Sequence, residues 1–205
     1  MSVVTEGRTL TAKGAATRAR IVAVAARLVY ENGVAGTSLE QVRDAAGISN
    51  SQLYHYFDDK QALVRAVIRH NTEAVLGADD ASVTRLDSFV ALEAWRDAVV
   101  ANQRRQHGVG GCPLGSLVGE LADVDDSARR ELDESFRRWS DAIAVGLTSM
   151  RERGLLRADA DPARLALAVL ASLQGGLVLT QTRHSPEPLE VALDGAIALI
   201  RSHAT

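Results

Sequence analysis

Apolar positions recur along this chain at helical spacing, and the stretches between them carry residues that start and stop helices. Ile21, Val24, Ala25, Leu28 and Val29 fall at i, i+3, i+4, i+7 and i+8, one face of a helix running from Thr17 to the Asn32-Gly33 stop. In "TSLEQVRDAAG" Ser38 and Gln41 stand at capping-box spacing around the stripe Leu39, Val42 and Ala46, and Gly47 closes that second helix. Ser49 and Gln52 repeat the spacing, which predicts a third short helix from Asn50 to Tyr56 with Leu53 and Phe57 to hold it down. Asp58 or Asp59 caps a fourth, which carries Leu63, Val64, Val67 and Ile68 toward Leu76. After a break at residues 77–82 come a helix over 88–105, the interruption "GVGGCPLGSL" and a short segment ending near Leu121. Leu132, Phe136, Trp139, Ile143, Leu147 and Met150 then mark the buried side of a long helix. Asp161-Pro162 and Ser185-Pro186 open the last two, the second with Leu189, Ala192, Leu193, Ala196, Ile197 and Ile200 on one stripe.

Two stretches depart from this amphipathic pattern. Residues 1–14 have no hydrophobic period and read as a mobile arm. The segment from Ala163 to Thr182 is apolar on nearly every side, so it needs a thick local core or a second subunit to cover it. No useful length of strand-like alternation is present, and Ala, Leu, Val and Arg dominate between four prolines, so the predicted fold class is all-α. Three short helices with a glycine turn between the second and third have the sequence form of a helix-turn-helix. In that unit the third helix presents its side chains to the DNA major groove, which gives the crowded polar residues of "ISNSQLYHY" something to face.

Composition narrows the classes further. A formal net charge of −3 argues against indiscriminate nucleic-acid binding, but residues 1–70 carry nine Lys/Arg against six Asp/Glu, and the remainder fourteen against twenty. The basic front and acidic back fit a small part that meets phosphate and a larger part that does not. Cys112 is the single cysteine and builds neither an internal disulfide nor a cysteine metal site. His184 and His203 lack partners at metal-ligand spacing and no phosphate-binding glycine loop occurs, so no cofactor or metal is expected. Neither the first twenty residues nor any later run reads as a signal or a membrane span, which predicts a cytoplasmic protein without a membrane partner.

The stretch "TRARIVAVAARLVYENGVAGTSLEQVRDAAGISNSQLYHYFDDKQALVRAVI" resembles the DNA-binding domain of the TetR family of bacterial transcriptional repressors. The resemblance covers residues 15–68 and rests on "NGVAGTSLEQVRDAAGIS" followed by "LYHYFDDKQAL" at the family's spacing. The chain departs from many members in having Asn50-Ser51-Gln52 where they carry Lys-Gly-Ala or similar, which concerns operator choice. "GGCPLGSL" together with "SLQGG" is similar to the LmrA/YxaF-type subgroup, whose members respond to small aromatic compounds. What the resemblance implies is an arm at 1–14, a helix-turn-helix domain at 15–62 and, joined by a helix, an effector-binding and dimerisation bundle at 63–205. It also implies double-stranded operator DNA as partner, a homodimer through the last two helices, and a small effector that releases the repressor.

Such a regulator must neutralise phosphates for affinity and read base edges for specificity. Gln52 suits bidentate pairing with adenine, or else serves only as the capping partner of Ser49, itself an N-cap. Asn50 and Ser51 offer short polar groups for close approach. Tyr54 and His55 point outward as phosphate donors, whereas Tyr56 and Phe57 belong to the core, because a helix this short cannot bury every ring. Lys60 opens the fourth helix, where its ammonium and the unpaired backbone N–H groups meet one phosphate. Thr17, Arg18, Thr37 and Ser38 are helix-start residues that the resemblance makes backbone contacts, and Arg43 is either a contact or a solvated side chain. One short helix cannot select a genomic site, so two copies on a twofold axis belong to the mechanism.

The effector site is expected in the second domain, with apolar walls and a few orienting polar groups. Phe89, Trp95, Val99 and Gln103 are its candidates from the helix at 88–105, Cys112 and Leu117 from the glycine-rich stretch and its helix, and Trp139, Ile143, Gln174 and Leu177 from the later helices. All of them could equally be core. Two other classes stand beside the regulator: a small helical enzyme using Cys112 with His107 as base, and a helical adaptor without DNA binding. Asp125-Asp126 reads as a cap between helices.

Overall fold

The computed structural model describes residues 3–5, 8–77 and 86–205. Among them the fold is all-α, with nine helices and one short antiparallel pair, β1 (Val3–Thr5) and β2 (Arg8–Leu10), in which Val3 stands opposite Leu10. The chain forms two compact units, Met1–Thr72 with Ser116–Leu132 and Glu73–Gly115 with Asp133–Thr205.

In the first unit α1 (Ala12–Asn32) begins earlier than the apolar period indicates. Thr11 is its N-cap and accepts from the Gly14 N–H at 3.2 Å, so Thr17 lies inside the helix, donating to the Lys13 carbonyl, and not at its opening. The physical reason is exposure: the turns before Ile21 bury nothing fully, so they leave no hydrophobic trace. The strand pair and the start of α1 likewise occupy much of the segment expected as an arm; residues 1–2 and 6–7 of that arm, and the break expected beyond Gly77, lie outside the described residues.

The helices α2 (Leu39–Ala46) and α3 (Asn50–Tyr56) each carry a complete capping box, Ser38 with Gln41 and Ser49 with Gln52. Gly47 stands between them at φ +61°, a left-handed position that a Cβ strains. The first two helices pack with α3 and with α4 (Lys60–Leu76) around Ile21, Val22, Ala25, Val42, Ala46, Leu53, Phe57, Leu63 and Val67. Burial of each of the larger of these side chains is worth about 1.5–3 kcal/mol, which is what lets the two short helices α2 and α3 hold their places. Asp59 caps α4, its carboxylate accepting from the Ala62 N–H at 2.6 Å.

Within α6 (Gly115–Leu121) the Glu120 carboxylate accepts from the backbone N–H groups of Val34 (2.8 Å) and Ala35 (3.3 Å), in the loop that leads to α2. Arg69 of α4 pairs with Glu131 at 3.2 Å.

The second unit contains α5 (Phe89–Arg105), most of α7 (Asp126–Glu152), α8 (Pro162–Arg183) and α9 (Glu187–Arg201). Asp161 caps α8 through the Ala163 and Arg164 N–H groups, with Pro162 preset for the first turn. Pro186 itself is the N-cap of α9 and makes no side-chain cap bond, so Ser185-Pro186 does not repeat the Asp161-Pro162 start. Leu165, Val169 and Leu173 of α8 and Leu189, Leu193 and Ile200 of α9 are buried, and Gly176 lets the two helices approach: a Cβ there would lie 3.0 Å from the Leu189 Cα. Arg96 of α5 binds Asp194 of α9 through Nε and Nη2 at 2.8 and 2.9 Å, and Arg201 covers the Phe89 ring. By length and composition α8 is apolar enough to cross a membrane; in the fold it is packed along α9.

Candidate nucleic-acid interface and ligand cavity

The first site is built from α3. Leu53 is its buried anchor and Phe57 follows in the core, while Asn50, Ser51, Gln52, Tyr54 and His55 are exposed and Tyr56 is half-buried against the unit. Seven residues give two turns, and a helix cannot bury both Leu53 and its polar neighbours, so the polar face is forced outward. His55 meets the Tyr56 ring edge-on at 5.0 Å between centroids.

The polar groups on this face are organised before any ligand arrives. The Ser49 Oγ accepts from the Gln52 N–H (3.2 Å), and the Gln52 Oε1 accepts from the Ser49 N–H (3.0 Å). Bidentate pairing of Gln52 with adenine therefore asks a second hydrogen bond of an oxygen already engaged in the box, whereas its amide N–H groups can donate without adding to that load. The hydroxyls of Ser49 and Ser51 lie 3.0 Å apart, and the Arg43 Nη1 donates to the Asn50 Oδ1 at 3.1 Å, tying α2 to α3. Arg43 is held by Asp44 as well, so it positions Asn50 from a fixed base.

Around this helix the remaining sequence candidates divide. Ser38 is exposed at the start of α2 and Lys60, half-buried, opens α4. Arg18 lays its guanidinium over the Phe57 ring at 5.0 Å, and Thr17 is half-buried. Thr37 is different: it is 3% exposed and its hydroxyl donates to the Gly33 carbonyl at 2.8 Å, so it holds the α1–α2 turn and is not presented to solvent. A threonine before a cap reads alike in sequence whether it faces in or out.

The second site is a cavity of about 370 Å³ within the second unit. Of the ten sequence candidates it brings together six: Trp95, Val99, Gln103, Cys112, Trp139 and Leu177. Phe89 lies under Arg201, Leu117 is buried in the other unit, and Ile143 is fully buried one turn along from Trp139; none of these three lines the cavity. Gln174 does not line the cavity either, and its Nε2 is buried without a hydrogen-bond partner. Residues missed in the sequence are Val75, Ala98, Asn102, Arg105, Gly111, Pro113 and Leu173. Extending the face Trp95, Val99, Gln103 by three and four would have found Ala98 and Asn102, but nothing in the sequence marks Val75.

The chemistry of the walls is apolar with sparse polar points. Gln103 is 4% exposed and Trp139 6%, and the Gln103 Oε1 and Trp139 Nε1 are buried atoms without a hydrogen-bond partner. Trp139 stacks on Phe136 with ring centroids 6.4 Å apart, which fixes the plane of the indole. Burial pushes the Cys112 thiol above its ordinary pKa, against opposing hydrogen bonds from the Gly115 and Leu114 backbone and from Gln174. It is a neutral thiol at neutral pH. Among the described residues Arg105, exposed and bonded to Asn102 at 3.3 Å, is the one formally charged lining residue. No group of three metal-ligating side chains occurs among the described residues.

Comparison with known proteins matches both halves of the chain. Residues 21–67 match the family described as "Bacterial regulatory proteins, tetR family", and residues 82–196 the one described as "Tetracyclin repressor-like, C-terminal domain". The chain is similar to the transcriptional repressor KstR2 of Rhodococcus jostii, 33% identical with 70% of each chain covered. It is also similar to the transcriptional regulator YxaF of Bacillus subtilis, 23% identical over 90% of this chain and 95% of the relative. Among solved structures, a TetR transcriptional regulator from Chloroflexus aurantiacus superposes with a TM-score of 0.78 at 26% identity, covering 95% of this chain and 98% of that one.

Proposed function

The chain belongs to the TetR family of transcriptional regulators, and on that premise we propose that it is a repressor that binds a palindromic operator as a homodimer and is released by a small, mostly apolar ligand. The observation that carries the reading is α3: an anchored helix whose exposed face holds Asn50, Ser51, Gln52, Tyr54 and His55, with the Ser49 and Ser51 hydroxyls and the Gln52 amide already ordered by hydrogen bonds. Pre-ordered donors lose less conformational entropy on meeting base edges and phosphates. Gln52 donates to a base acceptor while its oxygen keeps the capping box. Tyr54, His55 and Lys60 serve phosphates, with Ser38, Thr17 and Arg18 at the flanks. Repression is the mode stated in the names of relatives such as KstR2.

Dimerisation is supported by an apolar face that the single chain leaves open. Leu167, Val178 and Leu179 of α8 and Val191 and Leu199 of α9 are all exposed. A second copy covering the same face makes a four-helix interface and sets two copies of α3 at a fixed spacing. Reaching chromosomal DNA places the protein in the cytoplasm. The enzyme reading has little to work with, since Cys112 is buried and held protonated.

Release is a population shift: the ligand prefers the arrangement in which the two reading helices are wrongly spaced. Two stretches of chain carry the signal. One is α4, which runs from the first unit into the second; the other leads from Cys112 and Pro113 into α6, whose Glu120 holds the loop ahead of α2. The test is fluorescence anisotropy with DNA from the regions flanking the protein's own gene, at fixed salt. The expected result is saturable binding by a dimer, with affinity falling steeply as salt rises. A monomer at working concentration, or no preference for any flanking segment over random DNA, overturns the proposal.

A further inference from the structure

Two unpartnered polar atoms on residues that line the cavity specify more than an apolar ligand. The indole Nε1–H of Trp139 is a donor and the Oε1 of Gln103 an acceptor, both buried, both on residues that line the same space. An unsatisfied buried polar group is unfavourable, so a ligand that supplies its missing partner gains more than its contact alone is worth. From this complementary pair, and resting on the ligand-released reading above, we infer that the effector is an uncharged, mostly apolar molecule bearing a hydroxyl that accepts from Trp139 and donates to Gln103.

A hydroxyl is the smallest group able to do both, with one O–H and two lone pairs on a single atom. An ether or ketone oxygen accepts from the indole but leaves the glutamine oxygen bare. A buried carboxylate fits worse, because it cannot donate to Gln103 and, among the described residues, the one lining cation, Arg105, is exposed to water. Trp95, Val99, Leu173 and Leu177 supply the apolar wall around the polar pair, and Cys112 adds a neutral one.

The experiment compares three probes that share one skeleton, 2-naphthol, 2-methoxynaphthalene and naphthalene, by calorimetry on the full-length protein. The expected order in the parent chain is naphthol tightest, the ether at least about tenfold weaker, and the hydrocarbon weaker by a further factor of about ten. Gln103→Leu is expected to close the gap between alcohol and ether, and Trp139→Phe the gap between ether and hydrocarbon. These are ratios within one protein sample, so a loss of overall stability does not mimic them. Equal binding of the three probes, no binding of any, or gaps that persist in both variants overturns the inference. Operator release by naphthol is read separately by anisotropy. Hydroxyl selectivity without release keeps the site and removes the ligand-released reading, and release without selectivity does the reverse.

Discussion

Gln52 has one amide and two claims on it: its oxygen completes the capping box, and the side chain is otherwise exposed, which leaves the N–H groups to donate. Gln52→Glu keeps an oxygen for the Ser49 N–H and removes the donor, so stability in urea should stay within about 0.5 kcal/mol while operator affinity drops at least about tenfold. Unchanged affinity would make Gln52 a cap and nothing more. Cys112 titrates in the other unit with a sign that follows from burial. Its folded pKa is raised, so it contributes stability that is complete below the unfolded thiol's pKa, about 8.5, and is lost as pH rises through that value toward the folded one. Urea midpoints measured from pH 7 to 10 should fall on the alkaline side, and Cys112→Ala should flatten that part of the decline. Residue identity was readable in the sequence at both positions, but exposure was not, as Thr37 shows: its hydroxyl is spent on the Gly33 carbonyl.

Helices declared themselves where side chains make the ends. The boxes at Ser38 and Ser49 and the Asp161 cap fell where their spacing predicts, because a cap is a contact within four residues and the sequence holds both partners. The start of α1 did not declare itself, since Thr11 caps turns that bury almost nothing. Nor could a glycine's role in packing be read from its own helix. At Gly176 of α8 a Cβ would sit 3.0 Å from the Leu189 Cα and Cδ1, whereas at Gly119 of α6 nothing lies within 4 Å. Gly176→Ala should therefore destabilise the chain by about 1–3 kcal/mol despite a better helix former. Gly119→Ala should stabilise it by about 0.5–1 kcal/mol through helix propensity. Denaturant melts of the two variants decide this, and stabilisation by both would mean that α8 and α9 do not pack this closely.

At the scale of the whole molecule, the open face of α8 and α9 is the feature on which the proposed operator binding depends. Leu167→Glu with Val178→Glu places two charges on exposed positions, so the isolated chain should keep its helical circular dichroism. Burying those charges against a second copy is costly, and the dimer should dissociate at least about 100-fold more readily by light scattering. Operator binding should fall with it; a variant that stays dimeric puts the interface elsewhere. The apolar run from Ala163 to Thr182 already required a cover from its sequence alone, and the fold supplies part of one in α9. What the sequence by itself determined was the set of helices, the caps at Ser38, Ser49 and Asp161 and the helix-turn-helix, because those arise from periodicity and from partners a few residues apart. The tertiary structure alone decided which candidates meet: it drew Val75, Trp95, Cys112, Trp139 and Leu177 to one cavity, left Phe89 and Leu117 out of it, and stranded two buried polar atoms in its walls. Contacts between residues so far apart in the chain leave no local pattern, since they are set by how helices pack and not by how each one forms.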